Sequence, residues 1–523
     1  MKILGIHSIT HDVSAALCEN GIITHAVEEE KLSRIKHHPG IQFGGGPPIK
    51  SIEYLLRKLK KGIGDVDLIV HVGWPGSDKE PLDFMRKTYR DFANKLDNGL
   101  KKTIFVDHHL SHAAAAYYGS GFGDSIILVV DGHGDYIATS IYLARESDIE
   151  FKKVAEYFVD QSLGMMYTRA AKTIGLGDLG YGEGKMSALA AYGNTLKILP
   201  LVDFNDERYI LKDYFKFFSK FKRDPKDNIL KKHIDFAATI QDTLERSVIY
   251  ILTKTYKKYG IKNVCLSGGV GLNCAMNGKI RTLPWIGNFF VFPAANDSGL
   301  SIGAAYLGAL NKGDKVHMIK SMCLGPNLNQ KEIKHFLDNN FINSIKVTSY
   351  KKAAECLSTR RIVAWAQGNI EFGPRALGHR SLLGDPRNIE VKDRLNNIKK
   401  RDIWRPVCPS IINDKYFSGE TSSLKYMTVA VKVNDIAKKE ISAGIHIDGT
   451  SRVQLVADKK DSYYKLIKHF NKITSVPAVL NTSLNTNDEP LCSSISDVIK
   501  FFYTTPTDDL FIGNYWVTKR NFF

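Results

Sequence analysis

The sequence predicts a mixed α/β protein of two domains, a larger two-lobed one over residues 1–345 and a smaller α/β one over residues 346–523. Three observations lead there. A unit of strand, polar turn, strand, turn and strand fills Lys2 to Glu30 and recurs in ILVVDGHGDYIATSIYLARESDIEFKKVAEY, the trace that two pseudo-symmetric lobes around a ligand cleft leave in a sequence. Apolar runs lead through polar loops into helical patterns at NVCLSGGVGLN and NFFVFPAANDSGLSIGAA, the kind of connection at which ligands collect in α/β folds. The stretch from Lys312 to Asn343 is polar and irregular, as a domain boundary is.

The elements follow in order. KILGIH, VSAALCE and IITHAVEE read as a meander, with turns at Ser8 to Asp12 and at Asn20-Gly21. Helical patterns at Pro47 to Lys61 and Pro81 to Leu100 flank the strand VDLIVHVG, and TIFVDHHLSHAAAAYYGSGF carries a short strand to Asp107 and then a helix. GDLGYGEGKMSALAAYG is a glycine-rich loop entering a helix around Glu183 and Lys185. Asp203 to His233 mixes aromatic and basic residues, either covering a substrate or docking on its own domain, and Phe236 to Tyr259 reads as a long amphipathic helix. The second domain opens with a helix and a strand in AAECLSTRRIVAWAQG.

Composition narrows the class. At 523 residues the chain exceeds one ordinary core, and 43% hydrophobic with 24% charged residues describes a soluble globular protein. Neither a signal-peptide pattern nor a membrane-length apolar run is found, so the expectation is a cytoplasmic protein with no membrane partner. The seven cysteines form no CxxC pair, which argues against a zinc ribbon or a disulfide framework. A net charge of +17 favours anionic partners, but the basic residues are spread along the chain without an RNP-type strand or helix-turn-helix pattern, which argues against nucleic acid.

Two constellations carry chemistry. His108 and His112 share a helix face at i,i+4, half of a metal site, and Asp131 and Asp297 on loops after apolar runs are the carboxylates best placed to complete it. Two imidazoles and two carboxylates suit iron(II), zinc or manganese better than magnesium or calcium. The loop Gly268 to Asn273 ahead of a helix offers backbone amides to a phosphate or ribose, although it is not a Walker motif. In the second domain basic residues crowd onto loops: Arg375, Arg380 and Arg387; Lys399, Lys400, Arg401 and Arg405; His446 and Arg452. Asn481, Ser483 and Asn485 lie nearby in the pattern, and together these form an anion pocket.

The duplicated unit resembles the acetate-kinase/actin/heat-shock ATPase superfamily. In the order HDVSAAL, EEEKLSRIKH, DHHLSHAAAA, VVDGHGD, GEGKMSALAAYG, SGGVGLNCAMN, AANDSGLSIGAA, EFGPRALGHRSLLGDPR, IKKRDIWRP, HIDGTSRVQ and LNTSLN, the chain resembles the NodU/CmcH-type O-carbamoyltransferases over essentially its whole length. The resemblance implies an N-terminal domain similar to threonylcarbamoyl-transfer proteins and a C-terminal YrdC-like domain. It implies two steps: carbamoyladenylate forms from carbamoyl phosphate and ATP with Mg2+, and a hydroxyl of a small-molecule acceptor then takes the carbamoyl group. It assigns His108, His112, Asp131 and Asp297 to iron(II), and Arg375, Lys399, Arg405, Arg452, Asn481, Ser483 and Asn485 to carbamoyl phosphate and ATP, with Lys399 and Arg405 catalytic. Gly268, Gly269, Val270 and Asn273, with Glu183 and Lys185, would hold the adenylate. His11 and Asp12, at the first turn, would orient and deprotonate the acceptor hydroxyl. Natural-product tailoring and a homodimer are further implications. Val407 and Cys408 stand where the family usually has Phe and Ala, an apolar exchange that bears on packing. The competing readings are a tRNA threonylcarbamoyladenosine-type modification enzyme and a non-catalytic nucleotide-binding module.

Overall fold

The computed structural model describes residues 1–73, 83–97, 101–146, 150–197, 200–205 and 208–519. Its backbone clusters into two compact units, Met1–Ser33 with His37–Lys320, and Arg34–Lys36 with Ser321–Phe523. The division falls at Lys320/Ser321, earlier than the expected residue 345. The reason is a helix, Gln330–Asn339, inside the stretch read as irregular; its Ile333 and Leu337 are buried in the core of the second unit.

The first unit holds two five-stranded sheets of one topology. Strands β1 (Lys2–His7), β2 (Ser14–Glu19) and β3 (Ile22–Glu28) form the expected meander, and β4 (Leu68–Val72) and β5 (Thr103–Val106) add parallel to β1, giving the order β3-β2-β1-β4-β5. The second sheet repeats this with β6 (Ser125–Gly134), β7 (Ile137–Ala144) and β8 (Lys152–Phe158) as the meander. A hairpin of β9 (Val202–Asn205) and β10 (Arg208–Leu211) stands apart, and β11 (Asn263–Ser267) and β12 (Phe289–Val291) add parallel to β6. The duplication expected from the sequence is therefore present strand for strand. β1, β2 and β4 are buried nearly throughout, as strands covered on both faces must be.

The helices His108–Ser120 and Leu300–Asn311 cross closely, because a Cβ on Gly303 would lie 1.9 Å from the Ser111 carbonyl oxygen. That approach brings the His108 end of one helix to the Asp297 end of the other. The helix Lys231–Tyr259 buries Phe236, Ile240, Leu244, Val248, Ile251 and Thr255 at helical spacing. The basic aromatic segment docks on it: Phe217, Phe218 and Phe221 pack on Phe236, with ring centroids 5.8, 5.1 and 4.6 Å away. Arg223, also buried, donates to the backbone carbonyls of Ile174, Gly175 and Asp227. The segment is thus a patch on its own unit, one of the two readings its composition left open.

The second unit is a mixed eight-stranded sheet. Its strands are β13 (Ser344–Lys346), β14 (Val363–Ala366), β15 (Arg380–Gly384), β16 (Cys408–Ile411), β19 (Gln454–Leu455), β20 (Ala478–Ser483), β21 (Asp509–Ile512) and β22 (Tyr515–Thr518), in the order β13-β22-β21-β14-β15-β20-β16-β19. A short ladder pairs β17 (Val431–Lys432) with β18 (Thr450–Ser451). Helices including Ser349–Ser358, Ile389–Ile398 and Ile495–Thr504 supply Leu357, Leu395 and Phe502 to the buried interior. Arg380 lies within β15, fully buried, donating to the carbonyls of Gln367, Gly368 and His379. Arg387 is bidentate to Asp385, Nε to Oδ1 at 2.9 Å and Nη2 to Oδ2 at 2.6 Å. Both were expected in the anion pocket; both are tied instead to the backbone or to a carboxylate of the fold.

Candidate functional site

In the first unit the metal-type residues converge. Asp107 caps the helix by accepting from Leu110 N at 2.7 Å, which sets His108 and His112 on the first turns. The register of β6 against β7 shifts between Val130 and Gly134, and this bulge re-aims Asp131. Asp297 opens the turn that leads into Leu300–Asn311. The four ligand-type atoms lie within 4.8 Å of one another. His108 Nε2 is 3.5 Å from Asp131 Oδ2 and 3.8 Å from Asp297 Oδ1, and His112 Nε2 is 3.9 and 3.6 Å from the same two atoms. These are beyond hydrogen-bond length, and neither Nε2 has a hydrogen-bond partner among the described residues.

Contacts behind these groups fix their orientation. His112 Nδ1 is 3.2 Å from Ser267 Oγ, and Asp131 Oδ1 accepts from Gly269 N at 2.7 Å. Asp297 Oδ2 accepts from the Thr10 hydroxyl, which also contacts His7 Nε2 at 2.9 Å. Burial opposes charge on His108, Asp131 and Asp297, but the Asp131 and Asp297 carboxylates hold His108 up to about 9. The imidazoles in turn keep Asp131 well below the carboxylate range and Asp297 down to about 2, against burial and their mutual repulsion. Two ionised carboxylates facing two unpartnered ring nitrogens in a buried centre fit a divalent cation of the borderline class.

Beside this centre, Asp12 sits at φ 57°, a left-handed conformation that aspartate tolerates and that recurs at functional turns. Its Oδ2 contacts His11 Nδ1 at 2.9 Å and accepts from Asn296 Nδ2 at 2.9 Å, while Oδ1 contacts His37 Nδ1 at 2.8 Å. Burial would lower His11, but Asp297 and Asp12 raise it to about 10. His37 was not among the expected residues; its position in RIKHH gave no sign that it would return to Asp12.

The residues expected to hold the adenylate lie in the first unit. Gly268 has φ 86°, and Gly269, Val270 and Asn273 form a tight turn ahead of helix Cys274–Arg281. The Gly269 amide is taken by Asp131, and Asn273 caps the helix through Met276 N at 3.0 Å while exchanging hydrogen bonds with Gln241 at 2.9 and 3.0 Å. Lys185 donates to the Leu176 carbonyl, and Glu183 accepts from the Thr168 hydroxyl. The Asn273, Glu183 and Lys185 side chains thus also hold their own loops in place.

The second unit gathers cations. Lys399 is buried at the end of helix Ile389–Ile398, and its Nζ donates to Ser483 O and Oγ and to Asn485 O and Oδ1 at 2.7 to 2.9 Å. Burial, Arg401, Lys36 and Arg405 all push this ammonium well below the lysine range, and the four oxygens oppose them. Arg401 is pushed down to about 9 by burial and Arg405, and Arg405 is lowered by burial and Arg452. Arg452 donates to Cys408 Sγ at 3.0 Å. The Asn487 side chain faces Arg405 at 3.5 Å, and its carbonyl accepts from Lys36. Asn481, in register with Cys408 across the sheet, leaves a buried Oδ1 with no hydrogen-bond partner among the described residues. Arg375 lies half-buried in the loop ahead of β15. Burial and neighbouring cations thus act together on Lys399, Arg401 and Arg405, with Asp402 opposing them at the two arginines, and such a cluster favours an anion. Lys36, far away in the sequence, could not have been assigned to this group by motif spacing.

Among the described residues no helix is long and apolar enough to cross a membrane. The family model "Carbamoyltransferase N-terminus" matches residues 2–99 and 84–306, and "Carbamoyltransferase C-terminus" matches residues 354–519. The nodulation protein NolNO of Sinorhizobium fredii is 33% identical over 98% of this chain and 80% of its own length. The 3'-hydroxymethylcephem-O-carbamoyltransferase of Amycolatopsis lactamdurans is 31% identical over 49% of this chain and 48% of its own. Among solved structures, HypF of T. kodakarensis aligns at 15% identity with a TM-score of 0.41, over 60% of this chain and 48% of that one. The chain belongs to the carbamoyltransferase family and is a transferase enzyme of that kind.

Proposed function

We propose that this enzyme is an ATP-dependent O-carbamoyltransferase in which the second unit makes carbamoyladenylate and the first passes the carbamoyl group to a hydroxyl. The observation that carries the reading is the cluster of Lys36, Lys399, Arg401, Arg405 and Arg452, in which Arg401, Lys36 and Arg405 lower Lys399, and Arg405 and Arg452 lower Arg401, an arrangement that favours an anionic reactant. Carbamoyl phosphate and ATP are both polyanions, and bringing them together needs fixed positive charge around the α-phosphate.

Carbamoyl phosphate and water give carbamate and phosphate. A carbamate oxygen attacks the α-phosphorus of ATP, and pyrophosphate leaves with the electron pair. In the first unit the acceptor oxygen bonds to the carbamoyl carbon, the bond to the AMP oxygen breaks, and AMP leaves. Arg401, Arg405 and Arg452 hold phosphate oxygens, while Lys399 keeps the Ser483–Asn485 loop beside them. Asp12 holds His11 through Nδ1, so that Nε2 of that ring is the atom that receives the acceptor proton. When bound among His108, His112, Asp131 and Asp297, iron(II) or another borderline divalent metal supplies positive charge that offsets both carboxylates, which otherwise keep His11 protonated, and favours an anionic leaving group. Thr10, Ser267 and Gly269 hold the residues of that set in place.

The test is release of pyrophosphate and AMP from ATP by the metal-loaded protein, with and without carbamoyl phosphate. Release that depends on carbamoyl phosphate is expected. ADP as the product would mark a kinase, dependence on threonine and bicarbonate would mark tRNA-type chemistry, and binding of ATP with no product would mark a binding module.

A further inference from the structure

The sheet of the second unit carries, beside the cation cluster, a thiol that no step of the transfer uses. β16 and β20 run antiparallel with Cys408 opposite Asn481. Their side chains therefore leave the same face, with Cβ atoms about 4.5–5.5 Å apart as in any such pair. Asn481 Nδ2 donates to Ser410 Oγ at 3.1 Å, to Gln454 Oε1 at 3.0 Å and to the Ala376 carbonyl at 3.2 Å. The donor end of this amide is engaged, but its oxygen is idle. Asn481 is 1% exposed, and its Oδ1 has no hydrogen-bond partner among the described residues. A buried acceptor in that state marks room for a donor that the resting protein does not supply.

Cys408 also meets the cations. Arg452 Nε donates to its sulfur at 3.0 Å. Negative charge on that sulfur would raise Arg401 and Arg405, which burial lowers, so both guanidinium groups lie within its electrostatic reach. Three guanidinium groups thus stabilise the charge that develops on this sulfur as it attacks an electrophile. Burial dominates at the other buried thiols and pushes Cys18, Cys265, Cys356 and Cys492 up to about 12. Cys274 and Cys323 are partly exposed. With 4% of its surface exposed, Cys408 admits only a reagent close to water in size.

We infer that Cys408 is an oxidation site for hydrogen peroxide, at which the thiol becomes a sulfenic acid and draws Arg452 away from the anion pocket. The sulfur attacks one peroxide oxygen, the O–O bond breaks, and the hydroxide that leaves takes up the thiol proton as water. The product supplies what the site lacks. Its O–H donates to Asn481 Oδ1, and its oxygen accepts the Arg452 Nε proton that the sulfur held before. A dithiol reverses the change: it is oxidised to its disulfide, the sulfenic oxygen leaves as water, and the Cys408 thiol returns. The consequence for catalysis rests on the transfer reading given above, because it is carbamoyl phosphate and ATP that need Arg452; the oxidation itself does not depend on that reading.

The test treats the full-length protein with dilute hydrogen peroxide in the presence of dimedone, which traps sulfenic acids, and follows all seven cysteines by peptide mass spectrometry. Cys408 should be labelled about tenfold faster than Cys274 or Cys323. Arg452→Gln should slow labelling at Cys408 about tenfold while Cys274 and Cys323 keep their wild-type rates, which also reports that the variant is folded. Without dimedone, carbamoyl-phosphate-dependent pyrophosphate release should fall in step with oxidation and return on adding dithiothreitol. Cys408→Ala, checked for folding by circular dichroism, should hold its own starting rate through the same treatment. Faster labelling at any other cysteine, equal Cys408 rates in wild type and Arg452→Gln, or a Cys408→Ala protein inactivated as fast as wild type would overturn the inference. A wild-type protein that releases no pyrophosphate before peroxide is added sinks the transfer reading instead, and the dimedone labelling still decides whether Cys408 is the oxidation site.

Discussion

His112 Nδ1 lies 3.2 Å from Ser267 Oγ, and this contact decides which ring nitrogen faces Asp131 and Asp297. With the Nδ1 proton donated to the serine, Nε2 keeps its lone pair for the centre. Ser267→Ala frees the ring to change tautomer and orientation. We expect metal affinity to fall by about tenfold, as losses of such supporting contacts do, with the melting temperature little changed. Metal content after dialysis against a graded chelator series measures it; an unchanged affinity would mean the serine does not govern the ring.

Gly134 makes room for the other imidazole. A Cβ at this position would lie 2.2 Å from His108 Cδ2, so Gly134→Ala must push the ring off its place. The glycine is at the end of β6, where its backbone pairs with Ile137, so the strand itself has no need to change. Bound metal should drop to a small fraction of the wild-type level while the circular dichroism spectrum persists. Full metal occupancy in Gly134→Ala would show that His108 does not bind where its ring now lies.

Much of this arrangement is legible in the sequence because it is local. The meander of Lys2 to Glu28 and its repeat follow from alternation and turn residues, and His108 with His112 follows from helical spacing. Asp131 and Asp297 stand out as carboxylates on loops after apolar runs. What escapes is long-range. Nothing near Lys36 tells that it joins Lys399, and nothing near His37 tells that it returns to Asp12. Arg380 and Arg387 mislead for a different reason. A buried arginine that serves backbone carbonyls, or one that serves its neighbour Asp385, has the same sequence surroundings as one that binds phosphate. The helix Gln330–Asn339 is missed because its buried residues, Ile333 and Leu337, are only two among polar ones.

Lys399 concentrates four oxygen acceptors on one ammonium, those of Ser483 and Asn485. Lys399→Met keeps the length of the side chain and removes every donor, leaving the two carbonyls, the hydroxyl and the amide oxygen facing an apolar group. Relief of repulsion from Arg401 and Arg405 offsets part of the loss. We expect a net destabilisation of about 2 kcal/mol, in the range for buried polar groups stripped of a charged partner. We also expect carbamoyl-phosphate-dependent pyrophosphate release to be lost. Denaturant titration and the release assay read the two effects separately, and a variant of native stability with full activity would contradict the role given to this ammonium.

His71, on β4, tests the electrostatics away from either site. Its ring is fully buried, stacked on Phe105 at 5.4 Å and edge-on to Tyr89 at 5.4 Å and Phe92 at 5.8 Å, and neither nitrogen has a hydrogen-bond partner among the described residues. Burial holds its pKa down to about 3, from an ordinary value of 6.5. Between those values the unfolded chain binds a proton that the folded one does not. Stability contributed by the neutral ring is therefore complete above pH 6.5 and declines as the pH falls towards 3, by about 1.4 kcal/mol per pH unit. His71→Leu removes this proton and keeps an apolar side chain in the aromatic box. Unfolding free energies measured from pH 7 down to pH 5 should fall more gently for His71→Leu than for wild type, the difference corresponding to one proton taken up on unfolding. Parallel lines for the two proteins would mean that water or a local opening reaches His71 in the folded state, and that the box of Tyr89, Phe92 and Phe105 does not keep the imidazole neutral.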